Sequence, residues 1–491
     1  MRQGHKSIRA REPICTRIFI ICALAIYALM VFAAASQAAA SEEPNQSAIE
    51  IVLDILKSDE QEMHAVAIAM VNEMPGVDIT KALARELPNL PAISQVQLLS
   101  ALSDRGDRAA LPAVVEATKV KDESVRIAAL KALGQLGDAS NTMLLAQTAA
   151  VTTGAEQKAA RESLYRLRGL EVNETILASI PQTEPGIKAE LIRSIAERNI
   201  YAGVKTLLKS AQDSNSNVRL ESFKVLRVVA GQEHLPGLIE LLINVQGEAE
   251  RREAEKTIAT IARRIDDPSQ RTEAVLAALP SVTEVKSRCS LLSVLGKVGD
   301  DNSLPVLIAA LKDNDVNVQD IAISALSEWP DAAPINELLK IAQNSDNERH
   351  RILALRGFVR LIGLDGNRPA KEMISMYRQA MSLAPDASLK KRVLSGLANV
   401  KSFSALEMAA EYLEDKTLQQ EAEFAVVKIA ETTGCEEHSE QIKTIVQKII
   451  QTTKSDSVGE KAKELLKKLE GQTEDEKSHE PNSPQTVTDE A

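Results

Sequence analysis

Arg349, Arg356 and Arg360 fall on one stripe of a predicted helix, with His350 and Arg351 beside them. The next equivalent helix opens with Lys390, Lys391 and Arg392. Guanidinium and ammonium groups gathered at helical spacing do the chemistry of anion recognition, and suit an acidic peptide or another anionic polymer. The competing reading is a solvated face whose charges are paired with neighbouring acids, because mixed surface charge is the norm. Trp329, the sole tryptophan, stands just before Pro330. It either fills a gap at an irregular turn or anchors an interface, a role in which tryptophan is enriched.

Catalytic and metal chemistry find no footing. The six histidines (His5, His64, His234, His350, His438 and His479) lack metal-ligand spacing and have no cysteine pair nearby. Glycine-rich phosphate loops, G-x-S-x-G and H-E-x-x-H are absent from the sequence. Any carboxylate pair drawn from 69 acidic residues would be arbitrary. No catalytic, cofactor-binding or metal-binding residue is assigned, and no cofactor is expected. Cys289 lies in an apolar helix as a small core residue, and Cys435 sits in a Thr-Thr-Gly-Cys-Glu-Glu turn. Several repeats separate them, roughly 10 Å for each helix layer. A disulfide needs Cα atoms within about 7 Å, so the two are not expected to pair.

The elements that must position these residues are helices. Hydrophobic residues make up 44% of the 491 residues and aromatic residues only 2%, so small and aliphatic side chains must fill the interior. That suits thin two-layer helix packing and disfavours aromatic platforms for single-stranded nucleic acid. A formal net charge of −11 repels phosphate backbones, which argues against nucleic-acid partners altogether.

Residues 1–40 are a leader of a different kind. Arg2, Lys6, Arg9, Arg11 and Arg17 precede an apolar run over residues 18–35, and Ala38-Ala39-Ala40 stands before Ser41. A basic flank, an apolar centre and an A-x-A site read as a secretory signal peptide. The alternative is an uncleaved membrane anchor, because the run is nearly long enough to span a bilayer. The rest is expected to be exported, periplasmic or secreted. Residues 471–491 have one aliphatic side chain, Val487, and an acidic excess, so they are expected to be disordered.

Between leader and tail a pattern returns about every 30 residues. Its clearest copies are residues 122–138, 215–231, 283–300 and 315–328, with Val125, Val218, Val285 and Val318 at equivalent places. Each copy starts polar, becomes a helix with Ala and Leu on one face, and ends at a turn. In residues 122–136, Val125, Ala129, Ala132, Leu133 and Leu136 share a stripe, and Gly137 is expected to supply a left-handed turn. Periodicity predicts thirteen antiparallel helix pairs: a regular array over residues 41–330 and a less regular one over 331–470.

The runs DESVR from Asp122 to Arg126 and AALKALG from Ala128 to Gly134 resemble the HEAT-repeat family, in particular its short bacterial form known from phycobilisome lyases. So does LPVLI from Leu304 to Ile308, with Asp313 and Val318 after it. The resemblance implies a right-handed α-solenoid whose second helices line the concave side. It also implies that Asp213 with Arg219, and Asp122 with Arg126, are rungs of a structural ladder. Gln319 departs from the pattern, which has Arg at that place. The function expected from these features is a non-catalytic scaffold that binds a protein partner on its concave surface. A bilin lyase or isomerase-like enzyme, or a structural spacer in the cell envelope, are the alternatives.

Overall fold

In a computed structural model of the chain, the third helix pair shows how a second helix is started and buried. Residues 42–364, 367–433 and 438–477 are described, with side chains between 46 and 470 apart from Leu170. The helix Glu123–Leu136 begins where the Asp122 carboxylate accepts from the backbone N–H of Ser124 at 2.9 Å and of Val125 at 3.2 Å. Those bonds satisfy donors that a helix start leaves open. Val125, Ala129, Ala132, Leu133 and Leu136 are all buried, as the stripe requires. The same cap recurs before other second helices, with Asn215, Asp315, Asn347 and Asp386 in the role of Asp122.

The end of this helix corrects an expectation. Gly137 has φ −73° and ψ 169°, an extended conformation open to any residue. Its glycine is required by space instead: a Cβ there would lie 2.5 Å from the Leu133 carbonyl oxygen. The left-handed turn does close the helix Val285–Val298, at Gly299 with φ 68°.

Twenty-six α-helices are present among the described residues, which makes thirteen pairs, and no strand occurs among them. The helices gather into two compact units, one through Thr206 and one from Leu207 onward. In the first unit the second helices Gln61–Glu73, Ala92–Arg105, Glu123–Leu136, Gly154–Arg166 and Pro185–Glu197 pack successively on one another. In the second unit Ser216–Val229 through Asp456–Lys477 do the same. The core of the second unit holds Phe223, Trp329, Phe358 and Tyr377, all but fully buried. The Pro330 boundary expected from sequence falls inside this unit.

Both ends of the chain bear on the sequence expectations. The leader lies outside the described residues, and none of the described helices is long and apolar enough to cross a membrane. The helix Asp456–Lys477 runs through residues 471–477, so the expected disordered tail does not start at 471. Extending an existing helix needs no new nucleus, and Glu474, Glu476 and Lys477 are good helix formers. Residues 478–491 lie outside the described residues.

Candidate functional site

The basic cluster is carried by two neighbouring second helices of the second unit. Glu348–Ile362 starts at Asn347, whose side-chain oxygen accepts from the Arg349 N–H at 3.0 Å. It buries His350, Ala354, Leu355, Phe358, Leu361 and Ile362, which leaves Arg349, Arg356 and Arg360 exposed on the opposite stripe. Ala387–Leu397 is capped by Asp386 and buries Leu389, Val393, Leu394 and Leu397. Lys390 and Lys391 are half-buried there and Arg392 is exposed. The two helices pack on each other.

Four of the seven cations are already engaged. Arg349 lies 3.3 Å from Asp320, which is also 2.9 Å from His350 Nε2. Arg351 donates to the Ser345 carbonyl at 2.8 Å, fastening the start of its own helix to the segment before it. Arg360 donates to the Trp329 carbonyl at 2.8 and 3.0 Å and to that of Glu328 at 3.0 Å, closing the end of the preceding second helix. Lys391 lies 3.3 Å from Glu421. Arg356, Lys390 and Arg392 make no hydrogen bond or ion pair among the described residues. Trp329 is 1% exposed, so its indole is a core side chain and offers nothing to a partner.

An aromatic side chain extends this face and escaped the sequence reading. Phe424 is 43% exposed on Gln419–Thr432, the next second helix. Lys428 Nζ stands 5.9 Å from its ring centre and donates to Asn399 at 2.8 Å. A hollow of about 160 Å³ opens beside it over Val427 and Val458. The signal was there: Phe424 sits four residues before Lys428 and three after Glu421, on the polar stripe rather than the apolar one.

The other candidate groups are architectural. Arg126 donates to both carboxylate oxygens of Glu156, at 2.7 and 2.8 Å, and to the carbonyls of Val120 and Lys121 at 3.0 and 2.7 Å. Its expected partner, the Asp122 carboxylate, serves the helix cap. Arg219 likewise takes the backbone carbonyls of Asp213 and Ser214, both at 2.9 Å, and reaches Glu250 at 2.5 Å. The Asp213 carboxylate accepts from the Asn215 N–H at 2.9 Å. The rungs are therefore Arg to carbonyl and Arg to Glu, with Asp as a turn and cap residue. The hydrogen bond from Arg126 holds the Glu156 carboxyl below its ordinary range. The Ser124 hydroxyl does the same for Asp122.

His64 is buried, 3.0 Å from both Gln97 Oε1 and the Ser58 carbonyl. Among the described residues no group of three or more His, Cys, Asp or Glu is placed to hold a metal. Cys289 is half-buried rather than in the core, and burial pushes its thiol up to about 11. Cys435 lies outside the described residues.

Residues 272–358 match the family described as HEAT repeats. No curated protein matches the chain. Among solved structures, the chain is similar to Kap121p bound to Nup53p, at 11% identity and a TM-score of 0.53, over 87% of this chain and 53% of that one. A mutant of Kap121p gives 11% identity and a TM-score of 0.51, over 86% and 53%. The chain spans about half the length of these structures, and at such identity the likeness shows the fold alone. The chain has an all-helical α-solenoid fold, and within it residues 272–358 match HEAT repeats.

Proposed function

We propose that the chain is an exported, non-catalytic scaffold that docks a protein partner on the second-helix face formed by Glu348–Ile362, Ala387–Leu397 and Gln419–Thr432. The observation that carries this is the trio Arg356, Lys390 and Arg392, which make no hydrogen bond or ion pair among the described residues, on adjoining helices of an acidic chain. A partner segment rich in Asp and Glu complements that trio, and an apolar side chain within it suits the hollow at Phe424. The Kap121p fold accommodates a bound protein, Nup53p, which gives a precedent for protein docking on such helix stacks. The leader supports export, and the superhelix of the HEAT family would turn the second helices to the concave side.

The test is a titration with a synthetic Glu- and Leu-bearing peptide at several salt concentrations. Arg356→Glu with Arg392→Glu is expected to weaken binding at least tenfold with helicity unchanged. Binding of the native chain should fall steeply with salt, because the Debye length is only about 8 Å at physiological ionic strength. A folded double variant that binds like the native chain would remove the site from this face. Sequencing the N-terminus of the chain from an exporting host tests the leader: a start at Ser41 supports export by cleavage, and a retained Met1 supports an anchor.

A further inference from the structure

We propose a second docking site, independent of the basic face: a groove near the start of the second unit that takes an arginine side chain from a partner's peptide segment. The groove runs between residues 208–213 and the helix Leu235–Asn244 with the turn after it, and has a volume of about 610 Å³. That is room for several side chains. Its floor is apolar, from Leu208, Ala211 and Leu241. Gly237 keeps it open: a Cβ there would meet nothing nearer than Leu208 Cδ1 at 4.0 Å.

The rim is made of carboxylates and of amides whose oxygens are unengaged among the described residues. Gln212 donates its amide to the Leu208 carbonyl at 3.4 Å, Asn244 to Glu240 O at 2.9 Å, and Gln246 to Asn244 O at 3.2 Å. A backbone carbonyl only accepts, so each of these bonds is made by one N–H of the amide, and the amide oxygen stays available to a ligand's donor. Glu240 is exposed and makes no ion pair among the described residues, and the Asp213 carboxylate also borders the groove. The one cationic side chain in the lining, Arg219, is committed to the Asp213 and Ser214 carbonyls and to Glu250. The helix Leu235–Asn244 ends at the groove and the helix Glu248–Arg263 starts there, so their dipoles oppose and the negative character comes from the carboxylates.

Side-chain acceptors, negative charge and an apolar floor together describe the complement of arginine. Its planar guanidinium carries five donors and no acceptor, and its stem is aliphatic. The carboxylates of Glu240 and Asp213 on this rim disfavour a phosphate or an acidic peptide.

The experiment is calorimetric titration of the full chain with an acetylated, amidated Leu-Arg-Leu-Arg-Leu peptide, and with the same peptide bearing neutral citrulline for arginine. The arginine peptide is expected to bind saturably and the citrulline peptide at least tenfold more weakly. Glu240→Lys and Gly237→Leu should each weaken the arginine peptide at least tenfold. Glu273→Lys, an exposed acid outside the groove, should leave it within twofold. Circular dichroism establishes that the variants remain helical, and Glu240→Lys alone carries the test should Gly237→Leu not fold. The proposal fails if the arginine peptide does not saturate, if citrulline binds equally, or if folded Glu240→Lys binds like the native chain.

Discussion

Arg126 ties its own helix to two other stretches of chain: the turn before it, through two carbonyls, and the next second helix, through Glu156. The carbonyl bond recurs six residues back from Arg219 and Arg351, and Gln319 keeps it with its amide, at 2.6 Å to the Asp313 carbonyl. An arginine at this place was legible in the sequence. Its acceptors were not, because a backbone carbonyl has no letter, and Glu156 stands one whole repeat away. Arg126→Ala is expected to cost about 2 kcal/mol, since it leaves Glu156 nearly buried without its partner, and thermal melting of the full chain measures this. The pH dependence follows from the direction of the Glu156 shift. Its carboxyl is depressed in the folded chain, so it contributes stability at neutral pH that is lost as pH falls through the depressed value, below the ordinary glutamate range. Glu156→Gln should therefore melt lower at neutral pH and lose less on acidification. Parallel acid titrations of the two chains would refute this if their slopes coincide.

Second helices approach one another through glycine facing a small residue. A Cβ on Gly134 would lie 2.9 Å from Ser163 Cα, and one on Gly296 would lie 2.9 Å from Ala325 Cα. On the other side of that same helix, Gly357 would bring a Cβ within 2.7 Å of Ser327 Cα. The sequence run AALKALG showed an apolar stripe but not which small residue marks the contact, because periodicity gives a face and not the spacing between two faces. Gly134→Ala is expected to destabilise by about 1–3 kcal/mol despite the better helix propensity of alanine, through overpacking. A melt at or above the native temperature would show that the helices separate freely. Trp329→Ala should cost about 3–5 kcal/mol as a core truncation. It should leave binding of the Glu- and Leu-bearing peptide unchanged at temperatures where the chain stays folded, whereas loss of binding without loss of fold would return Trp329 to the docking face.

At the scale of the molecule, thirteen pairs were legible because the repeat states its own period, and the fold follows from stacking units that cannot bury their apolar faces alone. The division at Thr206 and Leu207 was not legible, because no change of composition marks it. Pro330 marks where the sequence pattern becomes less regular, and the segment there is tied in from both sides: Arg360 holds the Trp329 carbonyl, and a Cβ on Gly299 would touch Pro330 Cδ at 2.7 Å. The two cuts therefore differ in consequence. In a repeat array stability is close to a sum of local terms, so a fragment of residues 42–206 is expected to keep its helical circular dichroism and to melt cooperatively. A fragment ending at Glu328 loses Trp329 and uncovers the face of Val316–Ser327 that Glu348–Ile362 packs against. It should remain helical but bind a hydrophobic dye and aggregate at lower temperature than the shorter fragment. If residues 42–206 prove unfolded on their own, the array instead folds as one cooperative block, and the local reading of its stability is wrong.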